Sequence, residues 1–248
     1  MTTSTPELAS GSLTRVKVGA VDGGRVRVET DVTGPPTAPA LRPMLLSSDA
    51  RTARISLVPD GAMLLAGDQV TVEVEVGEGA SLTLVEPAGT VAYDMDGGHA
   101  SWSVAITLAA GASLVWAGEP FVVSAGAHVA RDTRVTLAPG ARLALRETLV
   151  LGRHGERPGR VLTTWSAHAD DGRPLLVESL DLDASSLAPG ILGRNRVLAS
   201  VTALGRDVPP NACPDGRLDL ECGGTLWRHL TGETHEVPAA PWECATTG

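Results

Sequence analysis

Three carboxylates stand in apolar company. Asp68 closes the phrase "LLAGD", Glu147 sits in "RETLVLGR" between two apolar runs, and Glu178 lies in "PLLVESLDL". An acid carried into a strand-rich interior must be paired, protonated, or turned toward water or a cation. Such residues suit metal handling or acid–base work, although each also has an ordinary reading as a solvated or arginine-paired side chain. Other chemistries lack their motifs. No GxSxG, HExxH or GxGxxG occurs, and the single lysine, Lys17, leaves no Gly-Lys-Ser/Thr for a phosphate loop. The histidines, His99, His128, His154, His168, His229 and His235, are scattered and never at ligand spacing along the chain. Cys213, Cys222, His229 and His235 match no common structural-zinc pattern. Cys213, Cys222 and Cys244 include no CxxC, which predicts reduced thiols in a cytosolic protein.

The elements that must position the acids announce themselves by repetition. "GEGASLTL", "AAGASLVW", "SAGAHVAR" and "APGARLAL" restate one phrase. Gly61-Ala62, Gly79-Ala80, Gly111-Ala112, Gly126-Ala127 and Gly140-Ala141 are separated by 18, 32, 15 and 14 residues, a unit near 16 with the long gap counting twice. Strand patterns lie between the marks. "VTVEVEV" puts Val70, Val72, Val74 and Val76 on one face and Thr71, Glu73 and Glu75 on the other. "VARDTRVTL" alternates less cleanly, because Arg131 breaks an otherwise uncharged face. These units predict an all-β fold, a flattened β-helical, solenoid-like stack of short strands with few helices. Glycine would turn each corner at positive φ, and alanine would follow where the next rung crowds close. A sandwich with evenly spaced turns would also space glycines this way.

No linker divides the chain, so residues 1–248 read as a single β-rich domain. The polar opening "MTTSTPELASGSLTRV" is expected to fray over residues 1–14, with no basic-then-apolar leader. Residues 97–118 carry no formal charge, yet glycines and polar residues interrupt them, so two buried strands are expected there instead of a membrane helix. "VLTTWSAHADDGRPLLVESLDLD" reads as a hairpin turning at Asp171-Gly172, "RNRVLASVTALG" as a strand or a short helix, and about 206–248 as irregular. A net charge of −9 argues against a nucleic-acid partner. A carbohydrate-active enzyme on a β-helical scaffold would want aromatic platforms, which one Tyr, one Phe and five Trp supply poorly. A structural β-repeat protein would be more regular and usually exported.

Three phrases in order resemble the UreD (UreH) family of urease accessory proteins. They are "SLVPDGAMLLAGDQVTVEVEVGEGASLTLVEPAGTVAY", "GASLVWAGEPFVVSAGAHVARDTRVTLAPGARLALRETLVLGR" and "DGRPLLVESLDL", together about residues 41–183. Departures mark a divergent member: Ala66-Gly67-Asp68 replaces a Gly-Gly-Asp, Glu86 stands at a threonine position, Val91 at a lysine, and Asp94-Met95 at an arginine-serine pair. The resemblance implies a nearly all-β stack and a cytoplasmic, non-enzymatic urease maturation factor. It implies a scaffold or chaperone that delivers nickel to apo-urease with the accessory proteins UreF and the GTPase UreG, away from nucleic acid and membrane. An internal acidic passage would carry the metal, with Asp68, Glu147 and Glu178 at positions that would line it and Arg153 as an organising partner. No tightly bound cofactor is implied, only transient Ni2+. Carboxylates suit such transit, since they attract a divalent ion without the tight grip of imidazole or thiolate.

Overall fold

Val70, Val72, Val74 and Val76 are each at most 1% exposed, so the alternation of "VTVEVEV" is the first rung of a core. The computed structural model describes residues 10–21, 24–61 and 63–247. The chain opens with β1 (Ser10–Gly19), β2 (Arg27–Thr33), β3 (Ala40–Ser48), β4 (Thr52–Asp60) and β5 (Asp68–Val76). β6 (Ser81–Val85), β7 (Thr90–Ala92), β8 (Ala100–Leu108), β9 (Ser113–Val123), β10 (His128–Leu137), β11 (Arg142–Leu151) and β12 (Arg160–Ala169) follow. The end holds β13 (Pro174–Leu182), β14 (Val197–Leu204), β15 (Arg217–Asp219), β16 (Thr225–Thr231) and a short helix, α1 (Ala240–Thr247).

Among the described residues the strands form two sheets. One runs β13-β12-β10-β8-β5-β1-β2, and the other β15-β16-β14-β11-β9-β6-β4-β3 with β7 beside β9. From β4 to β12 the chain alternates between them, except that β6 and β7 both lie in the second sheet, and neighbours in each sheet are parallel. This is the flattened stack that the glycine rhythm predicts. Each unit of about 16 residues is half a coil, because a strand of one sheet must be followed by a strand of the other. Both ends are closed by antiparallel strands: β2 and β3 at the start, β13, β14, β16 and β15 at the finish.

The corners explain the repeated phrase. Gly79, Gly111, Gly126 and Gly140 have φ of 62°, 64°, 75° and 72°, a region that side chains with a Cβ rarely enter. In each, the following alanine closes the turn by donating its N–H three residues back, as in Ala112 to Ala109 at 3.0 Å and Ala141 to Ala138 at 3.0 Å. Turns then stack on turns: the Gly111 N–H donates to the Pro139 carbonyl at 3.1 Å. Ala80, Ala112, Ala127 and Ala141 are buried against the neighbouring layer. The Gly61-Ala62 mark falls partly on Ala62, which lies outside the described residues.

Residues 97–118 form β8 and the first half of β9, and no described helix is long and apolar enough to cross a membrane. "RNRVLASVTALG" resolves as β14, and the Asp171-Gly172 hairpin joins β12 to β13. Residues 1–9 lie outside the described residues, while 10–14 begin β1. The section from 206 holds β15 and β16, which extend the second sheet past β14, and a cover over that sheet's outer face made by α1 and the loop before β15. There Trp227 packs with Ala144, Val201, Ala203, Val208 and Ala245. Within this cover Cys213 and Cys244 form a disulfide, which corrects the expectation of three reduced thiols; Cys222 is free. Their 31-residue separation hid the pairing, because only the folding of α1 onto the sheet brings the two together.

Candidate functional site

The site begins where strand alternation fails. In β10, Arg131 shares its parity with the buried Val129, Thr133, Val135 and Leu137, so its guanidinium is carried between the sheets. In β11, Glu147 follows the inward Leu143 and Leu145, and a register shift lies between Arg146 and Thr148. The two meet across the sheets with Arg131 Nη2 3.2 Å from Glu147 Oε1, and their side chains are only 12% and 22% exposed. Phe121 supports the cation from below, with Arg131 Cζ 4.6 Å from its ring centroid.

Two more acids face the same interior. Glu86 follows the inward Leu82 and Leu84 of β6. Its carboxylate accepts from Trp116 Nε1 at 2.8 Å and from the Glu119 N–H at 3.0 Å. Gly118 lies in the rung beside it. A Cβ there would come 2.5 Å from the Arg146 carbonyl, so only glycine lets the three rungs close. Glu178, on β13, meets Arg228 of β16 in a bidentate pair, with Nη2 to Oε2 at 2.8 Å, and Arg228 Nε also donates to Ser200 Oγ at 3.3 Å.

These groups line two small cavities of about 40 Å³ each. One holds Glu86, Trp116 and Phe121 in its wall, the other Trp165, Glu178 and Arg228, and both are bounded by Arg131, Thr133 and Glu147. A void of this size admits a few waters. Two buried donors at the second cavity, Arg131 Nε and Trp165 Nε1, find no protein acceptor among the described residues. Polar atoms of this kind are the partners that interior water requires. A sugar ring does not fit either space.

The acids predicted from sequence are therefore placed differently from one another. Glu147 and Glu178 share a cavity. Asp68 is also buried, at 7% exposure, but its carboxylate accepts from the Leu65 N–H at 2.7 Å at the corner leading into β5, and it lines neither cavity. Arg153 is an exposed loop residue paired with Glu156 at 2.8 Å, so it does not organise Glu147. Arg131 and Arg228 do the pairing. The sequence signal for Arg131 was its break in "VARDTRVTL"; Arg228 lies 50 residues from Glu178 and offered none. Among the described residues no group of three or more His, Cys, Asp or Glu is placed to hold a metal ion. Cys213, Cys222, His229 and His235 form no zinc site, and Cys213 is engaged with Cys244.

Burial raises the Glu86 carboxyl above its usual 4.5, against the lowering effect of its hydrogen bonds from Glu119 and Trp116 and of nearby Arg131. The folded protein thus holds this proton more tightly than the unfolded chain does. Its contribution to stability is fully present below 4.5 and is lost as pH rises through the raised value. E86Q removes that titration. Wild type is expected to gain stability relative to E86Q as pH falls through this window, read from Tm of both proteins down to about pH 4. Parallel curves would mean that Glu86 titrates as it does in the unfolded chain.

Comparison with known proteins points one way. The family model described as UreD urease accessory protein matches residues 14–236. "Urease accessory protein UreD 1" of Streptomyces griseus is 49% identical over 224 residues, covering 86% of each chain. "Urease accessory protein UreD 1" of Saccharopolyspora erythraea is 40% identical over 188 residues, 75% of this chain and 73% of that one. "Urease accessory protein UreD" of Methylobacterium sp. strain 4-46 is 30% identical over 237 residues, 87% of this chain and 82% of that one.

Proposed function

From the premise that this chain belongs to the UreD urease accessory protein family, and so serves urease maturation, we propose that it conducts nickel toward apo-urease through its interior. The observation that carries the proposal is the pair of small cavities that share Arg131, Thr133 and Glu147 in their walls, with Glu86 lining one and Glu178 the other. The lining of both contains carboxylates, arginines and hydroxyls, and neither histidine nor cysteine. Nickel binds imidazole and thiolate tightly, whereas oxygen ligands hold it loosely enough to pass it on. Nickel is cargo here, with no resident cofactor.

An ion entering this line meets acids already satisfied by arginine. Arg131 and Arg228 neutralise Glu147 and Glu178, so a divalent cation must compete for each carboxylate and is released when the guanidinium returns. That exchange moves the ion without forming or breaking a covalent bond, and the protein acts as a scaffold and not as an enzyme. The nucleotide-driven step falls to UreG and the bridging to UreF, in the cytoplasm, since this chain has no phosphate loop.

The test is co-expression of apo-urease and the other accessory proteins with wild type, E147Q, E178Q or the double variant. Nickel content and urea hydrolysis are expected to fall about tenfold in the double variant, roughly 1.4 kcal/mol, with the accessory complex still recovered intact. Full activity in the double variant would remove the interior route. Failure to assemble would leave the scaffold role alone.

A further inference from the structure

His99 and His128 lie 29 residues apart, the same distance that separates Gly111 from Gly140, and so one whole coil. The parallel register of β8 and β10 pairs Ala100 with Val129, which sets the two histidines side by side at the next position back. Both are exposed, and both share parity with the outward Ser101 and Ala130, so they stand on the outer face of the first sheet, away from the interior cavities. Their ring centroids are 6.4 Å apart with planes inclined at 61°.

The row around them is fixed. Toward β5 the Gly67 N–H donates to the His99 carbonyl at 2.9 Å, and glycine leaves that side of the ring open. Toward β12, His128 is paired in register with Arg160, whose Nε donates to Asp181 at 2.9 Å. Below, the Met95 sulfur accepts the His128 N–H at 3.4 Å and anchors the backbone that carries the ring. Two imidazoles on one ion at nitrogen–metal distances near 2.0–2.1 Å bring their centroids to roughly 4.5–5 Å. Closing the observed 6.4 Å to that range takes a shift of under about 2 Å, the scale of the rotamer changes that exposed side chains make in picoseconds to nanoseconds.

We propose that His99 and His128 form a two-imidazole clamp for a divalent transition-metal ion on the outer face of the first sheet, with water completing the coordination shell. Imidazole is a preferred ligand of nickel, copper and zinc. Two protein ligands without a third give an exchangeable site, suited to picking an ion up and letting it go. Arg160 is held by Asp181, so that carboxylate is engaged and the clamp depends on the rings. The proposal does not rest on the interior route: the clamp is on the opposite side of the sheet and uses none of the same residues.

The experiment is a calorimetric titration of the untagged full-length chain with nickel chloride, for wild type, H99A, H128A, the double variant, and E147Q/E178Q. Wild type is expected to show one saturable site in the micromolar range. Each single histidine variant should weaken it at least about tenfold, or 1.4 kcal/mol. The double variant should lose little more than either single one, because one missing ring already breaks a bidentate site. Because both rings are exposed, these variants should keep the wild-type Tm. E147Q/E178Q should retain the site. In proton NMR, the ring resonances that vanish in H99A and H128A should be those broadened first by substoichiometric nickel. Absence of a saturable site in wild type, or equal affinity in wild type and the double histidine variant, overturns the clamp. Loss of binding only in E147Q/E178Q would overturn it too, while leaving the interior route standing.

Discussion

Replacing Arg131 with methionine is expected to lower stability by about 2–3 kcal/mol, measured by urea denaturation with an unchanged slope. Methionine keeps much of the volume and the contact with Phe121 but leaves Glu147 without its cation. Removing one partner of a fully buried pair costs about 3–5 kcal/mol, and exposed pairs are worth about 0–1 kcal/mol. With side chains 12% and 22% exposed beside a small polar-lined cavity, this pair falls between those limits. The double variant R131M/E147L should recover most of the loss, since no charge is then left behind. Recovery separates a charge effect from poor packing. If R131M were as stable as wild type, interior water alone would satisfy Glu147, and the guanidinium would not be its partner.

The second large effect is expected at Trp227. Its side chain is 0% exposed, its Nε1 donates to the Cys213 carbonyl at 2.8 Å, and Arg217 lies over its ring with Cζ 5.6 Å from the centroid. It joins the C-terminal cover to the second sheet. W227A should cost about 3–5 kcal/mol, the usual result of emptying a large aromatic site, and lower Tm by roughly 10 °C. Limited proteolysis should then cut first between about residues 206 and 224, where the cover has lost its anchor. W227F keeps most of the ring contact and forfeits the hydrogen bond, so a loss of about 1 kcal/mol is expected. An unchanged proteolytic pattern in W227A would show that the disulfide and α1 hold the cover without it.

The architecture was legible because its causes are local. A glycine at positive φ, an alanine pressed against the next layer, and valines at alternate positions each act within a few residues, and repetition made them visible. The inward acid Glu147 was legible for the same reason, as a charge inside an apolar run. What sequence hid was partnership. Arg131 reaches Glu147 from the opposite sheet, and Arg228 reaches Glu178 from 50 residues away, so neither pairing follows from spacing in the chain. The His99–His128 juxtaposition belongs to an intermediate class. Its 29-residue interval looks like scatter until the coil length is known, and then it places both side chains on one line. Arg153 came from resemblance to a motif, and its own loop supplies Glu156 as a nearer partner.

The antiparallel strands that close the stack at each end have a consequence for how such a molecule can change in size. β2 and β3 turn back against the first rungs, and β13 and β14 do the same at the last, so each terminus needs a complete layer beneath it to pair with. An insertion of a few residues only swells one coil, as where the coil from Ser81 to Ser113 is three residues longer than the one from Ser113 to Arg142 and both stay in register. An insertion or deletion of about 30 residues would lengthen or shorten the column by a single storey and leave both lids seated. Growth in this architecture is therefore quantised, and any bore through its middle lengthens by the same step.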